Sequence, residues 1–293
     1  MATIPTTGRS MAAGRGGQIL GNVIFFAILL IVALLIIFPI VMMALQSFQT
    51  NQTLYRWPPT VITTEPTLVN WQNLLTRDDL RLPRWIFNSV FVATTQTVVV
   101  LFVASLAAYA FARLNFPLKT PLFFLLLLTV MIPQQVLLIP NYLTLRDVGL
   151  LGTYGSLIWP GVANVFAVFL LRQFFQSIPR DLEEAAILDG ASRFGVYWRI
   201  VLPLSVSALV ALGIFVFLAN WNDLFWPLIV TTDLDMRTLP VGLSILNGTY
   251  GPQERGLVLA GALFSTIPVL IVYTIFQRWI LKGVSITGGL GGR

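Results

Sequence analysis

The residues able to do chemistry in this chain crowd into one stretch. Ile178-Pro-Arg-Asp-Leu-Glu-Glu-Ala-Ala-Ile-Leu-Asp-Gly-Ala-Ser-Arg-Phe-Gly-Val-Tyr-Trp-Arg-Ile-Val-Leu-Pro203 is the most polar part of the interior sequence and carries the carboxylates of Asp181, Glu183, Glu184 and Asp189. Few reactions are open to them. The chain has no His and no Cys, which removes the usual ligands for zinc, haem and iron–sulfur centres and every Ser-His, Cys-His or disulfide mechanism. A phosphate-binding loop needs G-x-x-x-x-G-K-[ST], yet the only lysines are Lys119 after Leu118 and Lys282 after Leu281, so this chain hydrolyses no ATP by that route. What the acids can offer is charge to a basic partner.

Local signals predict how the stretch is shaped. Asp181 is placed to accept from the backbone N–H of Glu184 while Glu184 reaches back, the equivalent of a capping box. Gly190 supplies the left-handed turn that stops a helix. The expected helix, Leu182 to Asp189, is about 12 Å long, too short to cross a membrane. Ala185 and Ala186 would let another surface approach its backbone closely, with the acids beside them. Ser192 is placed to cap a second short helix leading to Leu202-Pro203, where proline marks the turn into the next element. By physics alone the alternative is a wet amphipathic helix with Glu183 and Glu184 solvated or paired with Arg180.

The elements around this stretch must be membrane helices. Of 293 residues, 56% are apolar and 10% charged, against about 25% charged in a soluble chain. The net charge of +6 is scattered between apolar blocks rather than gathered on a face, so no nucleic acid is expected. Six uncharged stretches exceed 20 residues: Gly16 to Tyr55, Trp85 to Ala112, Thr120 to Leu145, Val148 to Leu171, Ile200 to Asn222 and Gly256 to Gln277. Each is long enough to cross about 30 Å of hydrocarbon as a helix. Continuous apolarity favours helices over barrel strands, which alternate. The first apolar run, Ile19 to Leu45, is far longer than a signal-peptide core and reads as a retained anchor. The expected organisation is an all-α integral membrane protein in contact with lipid. It has a six-helix domain over residues 19–283, an unstructured cytoplasmic tail over 1–18 and a Gly-rich cytoplasmic tail over 284–293.

An even number of spans puts both termini on one side. If that side is cytoplasmic, it holds 11 of the 18 basic residues with four acids, and the outer segments hold seven basic residues with eight acids. This is the positive-inside bias for a plasma or inner membrane protein with both termini cytoplasmic. From Gln46 to Arg84 the outer loop carries Pro58, Pro59, Pro66 and Pro83 with Trp57 and Trp71, a composition suited to an ordered platform for a docking partner.

Glu184-Ala185-Ala186-x-x-Asp189-Gly190-Ala191, followed by Ile200-x-Leu202-Pro203, resembles the EAA signature of permease subunits in binding-protein-dependent ABC importers. Asn88-Ser89, Ala108-Tyr109-Ala110-Phe111-Ala112-Arg113, Ile132-Pro133, Ile139-Pro140, Gly149-Leu150, Trp221-Asn222-Asp223, Arg237-Thr238-Leu239-Pro240-Val241-Gly242 and Phe276-Gln277-Arg278-Trp279 are similar to the maltose-type carbohydrate branch. The resemblance runs from Ile19 to Gly292. It implies the type I importer permease (MetI-like) fold, with segment 178–203 as the coupling loop and no enzymatic activity in this chain. It also implies three partners: a second permease subunit, a pair of ATPase subunits that bind ATP and Mg and grip the short helix, and an extracytoplasmic solute-binding protein that delivers a sugar or sugar derivative. The coupling residues it implies are Glu183, Glu184, Ala185, Ala186, Leu188, Asp189 and Gly190.

Candidate residues for the solute path are Asn220, Asp223 and Asn164. Asn220 and Asp223, at i and i+3, are expected on one helix face, where an amide and a carboxylate could hydrogen-bond sugar hydroxyls in a water-filled cavity. The competing reading makes Trp221 and Trp226 an aromatic belt with Asp223 wet at the interface. Asn222 and Asn164 are expected to bond neighbouring helices. Two functions of other classes compete with the permease. A membrane-embedded enzyme would need ionisable residues in its spans, and a self-sufficient secondary transporter would be expected to show an internal repeat.

Overall fold

The computed structural model describes residues 11–58, 62, 65–251 and 253–288, with side chains described for 20–278 of these. All regular structure among the described residues is helical. Helix α1 (Met11–Ser47) is followed by two short helices, α2 (Asn51–Leu54) and α3 (Val69–Thr76), and then by α4 (Leu82–Arg113). Next come α5 (Lys119–Leu128), α6 (Leu138–Asp147), α7 (Tyr154–Ile158) and α8 (Val165–Ser177). The polar stretch supplies α9 (Arg180–Leu188), α10 (Arg193–Val196) and α11 (Leu202–Leu204). The chain closes with α12 (Val206–Trp221), α13 (Phe225–Val230), α14 (Leu239–Tyr250) and α15 (Arg255–Gly288). Helix thus extends into both segments expected as tails. Residues 1–10 and 289–293 lie outside the described residues.

The apolar stretches do not all become single helices. Leu20–Ser47, Leu82–Arg113 and Arg255–Arg278 are continuous and long enough to span. The other three are bent pairs: Lys119–Met131 with Gln134–Asp147 at 90°, Tyr154–Gly161 with Val165–Ser177 at 47°, and Arg193–Leu204 with Val206–Trp221 at 76°. Six spans result if each pair counts as one. Pro133 and Pro160 sit at or beside the first two breaks. At the third, Pro203 cannot donate to Arg199, and the turn ahead of it, Tyr197–Val201, is wound as a π-helix. The bend itself falls at Ser205, whose hydroxyl donates to the Val201 carbonyl at 2.7 Å.

Helix α4 is the axis of the molecule. Val100, Ala104, Ala108 and Ala112 recur every fourth residue and are 0 to 4% exposed, a small-residue stripe on which α8 and α12 lie closely. Around it gather Leu171, Phe175, Tyr197, Val201 and Leu212 as the largest core cluster. A second core at the start of α4 joins Leu74, Trp85, Trp221, Leu239, Leu246 and Leu257. There Gly242 lets the Trp85 ring lie on the backbone, since a Cβ would stand 2.2 Å from it. With 32 residues, α4 separates the two ends of the bundle by about 48 Å. Helix α1 packs on α15 and leaves almost all of its apolar side chains exposed.

Candidate functional site

Segment 178–203 is fastened to the C-terminal end of α4. Arg113, the last residue of that helix, sends Nη2 to the Ile178 carbonyl. Its Nε stands 2.6 Å from Glu183 Oε1, with the two side chains 4% and 7% exposed. The N–H is not aimed along that contact and neither atom has a hydrogen-bond partner, so the pair is held by charge. Tyr109 donates to the Arg193 carbonyl at 3.1 Å, and the hydroxyls of Ser105 and Tyr197 meet at 2.8 Å. Nearby, Arg172 donates to the Phe111 carbonyl and lies over the Phe123 ring.

The helix borne on this mount begins earlier than its sequence signals suggest. Pro179 (φ −57°, ψ 133°) takes the N-cap position and α9 runs from Arg180 to Leu188, with no side-chain cap. The expected Asp181–Glu184 capping box is absent. Asp181 lies inside the first turn, where its charge still complements the helix dipole. The stop is as expected: Gly190 has φ 87°, Ala191 N–H donates to Ala186 O at 2.9 Å and Gly190 N–H to Ile187 O at 3.0 Å. These are the two bonds of a Schellman ending. Ser192 accepts from Gly195 N–H at 3.1 Å and caps α10.

Helical spacing sorts the candidate residues into two faces. Glu183, Ala186 and Ile187 turn inward: Glu183 meets Arg113, and the other two pack on the core. Glu184, Ala185 and Asp189 are exposed, and Leu188 is 88% exposed. One expectation is corrected here: Glu183 is neither solvated nor paired with Arg180. Ala186 is half-buried and packs on the core. A cleft of about 450 Å³ lies beside this helix, lined by Arg113, Asn115, Arg180, Glu184, Leu188 and Arg193 among others. Sequence reasoning missed Arg113 as the partner of Glu183. The available signal was a single arginine closing a long uncharged helix, with a carboxylate in the only acidic loop on that side.

The path candidates are placed differently from expectation. Helix α12 ends at Trp221, so Asn220 and Asp223 do not share a helix face. Asn220 Nδ2 donates to Val216 O and Asn222 Nδ2 to Leu218 O, both at 2.8 Å within their own helix. Asp223 Oδ1 accepts from Phe225 N–H at 3.1 Å and Trp226 N–H at 3.4 Å, capping α13. Asn164 caps α8 through Ala167 N–H at 2.9 Å rather than bonding a neighbouring helix. Trp221 is 2% exposed, its indole N–H on Ser265 O, and Trp226 donates to Ser156 O. Trp221 is thus a core residue and no part of a belt, while Trp226 stays half-buried.

At the opposite end of α4, the segment between α1 and α4 packs on α14 and α15. Asn70 Nδ2 donates to Ser47 O and Gln49 O, and Asn51 Oδ1 accepts from Gly256 N–H. Arg77 bridges Asp79 and Glu254 and lies over the Tyr250 ring, while Tyr250 donates to Asp79 at 2.6 Å. That hydroxyl first, and Arg77 second, hold the Asp79 carboxyl below its ordinary range. Asn88 ties the segment before α14 to α4 through Asp235 O and Arg237 O, both at 2.8 Å.

Residues 101–286, which include α9 and its mount, match the family of binding-protein-dependent transport system inner membrane components. The chain belongs to that family. This permease is 33% identical over 263 residues to the arabinooligosaccharides transport system permease protein AraQ of Halalkalibacterium halodurans, covering 89% of this chain and 93% of that one. It is 33% identical to the trehalose/maltose transport system permease protein MalG of Thermococcus litoralis, over 94% and 99% of the two chains. It is also 33% identical to the sn-glycerol-3-phosphate transport system permease protein UgpE of Yersinia enterocolitica, over 89% and 95%. Among solved structures, a bacterial ABC transporter involved in the import of alginate shares the fold at TM-score 0.76 and 24% identity, covering 94% of this chain and 99% of that chain. The permease is a transport subunit, not an enzyme, and among its described residues no cluster could hold a metal ion.

Proposed function

We propose that this permease is one of two membrane subunits of an ATP-driven importer for a sugar or sugar derivative. An extracytoplasmic binding protein delivers the solute to the end bearing α2 and α3. A pair of ATPase subunits, which bind ATP and Mg, grips the end bearing α9, and that end faces the cytoplasm together with both termini. The observation that carries this reading is the division of α9 into an inner face locked to α4 by Glu183 and an outer face offering Glu184, Ala185 and Leu188. An 88% exposed leucine beside a carboxylate is a knob for a partner's pocket, and the buried mount makes the helix move with α4 as one body. ATP-driven closure of the ATPase pair then displaces α9 and switches the spans between inward-facing and outward-facing arrangements. The three curated relatives carry arabinooligosaccharides, trehalose or maltose, and sn-glycerol-3-phosphate by name, which supports a hydroxyl-rich solute. The test is ATPase activity of the reconstituted complex with its binding protein across a panel of sugars and polyol phosphates. One class of solute should raise the rate; no rise with any of them would refute the carbohydrate reading.

A further inference from the structure

The bent pair Lys119–Met131 and Gln134–Asp147 turns through 90° at Ile132-Pro133, inside the uncharged stretch Thr120 to Leu145. A break in so apolar a stretch exposes backbone. Pro133 has no N–H and is extended at φ −59°, ψ 134°, and Gln134 opens a new 3-10 turn with no helical carbonyl before its N–H. Irregular backbone at membrane depth survives only where protein buries it or water lines it. This chain does not bury it: every residue from 128 to 137 is exposed. Two adjacent amides, Gln134 and Gln135, project from the break without a hydrogen-bond partner among the described residues. Hydrocarbon cannot satisfy them.

A second observation says which surface this is. The turn Thr129–Met131 just before the break packs on α8, whose own span is interrupted at residues 162–164. Secondary transporters build solute sites from paired discontinuous helices where freed polar groups meet the cargo, and two interrupted helices are likewise in contact here. Each glutamine amide carries two donors and an acceptor, the set that pairs with neighbouring hydroxyls.

We propose that Gln134 and Gln135 line the water-filled translocation path and hydrogen-bond the hydroxyls of the transported solute. The inference rests on the carbohydrate reading above for the identity of the cargo. The chain has no native thiol, so Gln134→Cys and Gln135→Cys can be probed singly in the reconstituted complex with a charged thiol reagent. Both should react, and a solute that stimulates the ATPase should slow the reaction severalfold. A Gln134→Leu, Gln135→Leu double variant should raise the uptake KM about tenfold, the loss expected for one to two hydrogen bonds. Cysteines that stay unreactive in a complex whose ATPase answers to solute, or that react at a rate the solute does not change, would overturn the inference. So would an unchanged uptake KM in the double variant. Failure of every sugar to stimulate the unsubstituted complex would instead count against the carbohydrate reading, and reactivity would still report whether the break is wet.

Discussion

Arg113 Nε lies 2.6 Å from Glu183 Oε1 in a contact almost closed to solvent. One residue ends α4, the helix around which the largest core cluster gathers, and the other sits on the inner face of α9, so the pair fixes the angle between them. Charge buried without an aligned hydrogen bond contributes little net stability while intact and is costly when halved.

Removing either partner alone should therefore loosen segment 178–203. Glu183→Ala leaves the Arg113 guanidinium buried and unpaired, at a cost of about 3–5 kcal/mol. Limited proteolysis within 178–203 should become rapid in the single variant. A double Arg113→Met, Glu183→Met variant should restore much of the protection, because an apolar pair refills the space. Equal sensitivity of single and double variants would show that the charge pair does not organise the loop.

Glu184 faces outward, and its substitution should separate coupling from folding. Glu184→Lys should insert and resist proteolysis normally while the complex loses solute-stimulated ATPase activity and uptake. Full uptake at normal expression would leave α9 as a merely solvated helix.

At Gly190 the strain is in the backbone alone. A Cβ there meets nothing within 4 Å, yet φ is +87°. A β-branched Val at such a φ is strained by about 1–3 kcal/mol, whereas Asn tolerates the left-handed region. Uptake should fall sharply in Gly190→Val and survive in Gly190→Asn, and equal uptake by the two would show that the turn is not needed.

Asp223 can be tested for a role beyond its cap. Asp223→Asn keeps an oxygen to accept from Phe225 and Trp226, whereas Asp223→Ala removes the cap at about 1 kcal/mol. If the carboxylate meets solute in the path, both variants should lower uptake. Normal uptake by Asp223→Asn with a defect in Asp223→Ala would confine it to capping.

The platform segment should respond to acid. Tyr250 and Arg77 depress the native Asp79 pKa, so this carboxylate stabilises the folded platform at pH above its ordinary range, and the contribution is lost as pH falls through the lowered native value. Protection of the α3 amides, corrected for the intrinsic pH dependence of exchange, should fall on acidification. Tyr250→Phe removes the leading cause, so its loss of protection should be smaller and complete at higher pH; coincident profiles would dismiss the Asp79 contact as a control of the platform.

Helical class and apolar stretches were legible because period and length are local properties. The stop at Gly190 and the cap at Ser192 were legible for the same reason. The start of α9 was not, because Pro179 competed with the Asp181 signal and won by placing the first turn earlier. Continuity of three spans was overestimated, since uncharged runs do not report a proline's effect on the ladder around it. The Asn220–Asp223 pairing failed because the helix ends at Trp221, where that indole is drawn into the core against Ser265. The role of Arg113 depends on a contact between distant parts of the chain, which no local pattern encodes.

Helix α4 has no proline beyond its first turn and no break, while three of its neighbouring spans are jointed. An unjointed rod among jointed ones behaves as a pushrod. It links Arg113 at one end to Trp85 and Asn88 at the other, whose hydrogen bonds hold Leu234, Asp235 and Arg237. A flexible insertion near the middle of α4 should therefore loosen the tie between its two ends while leaving each properly folded.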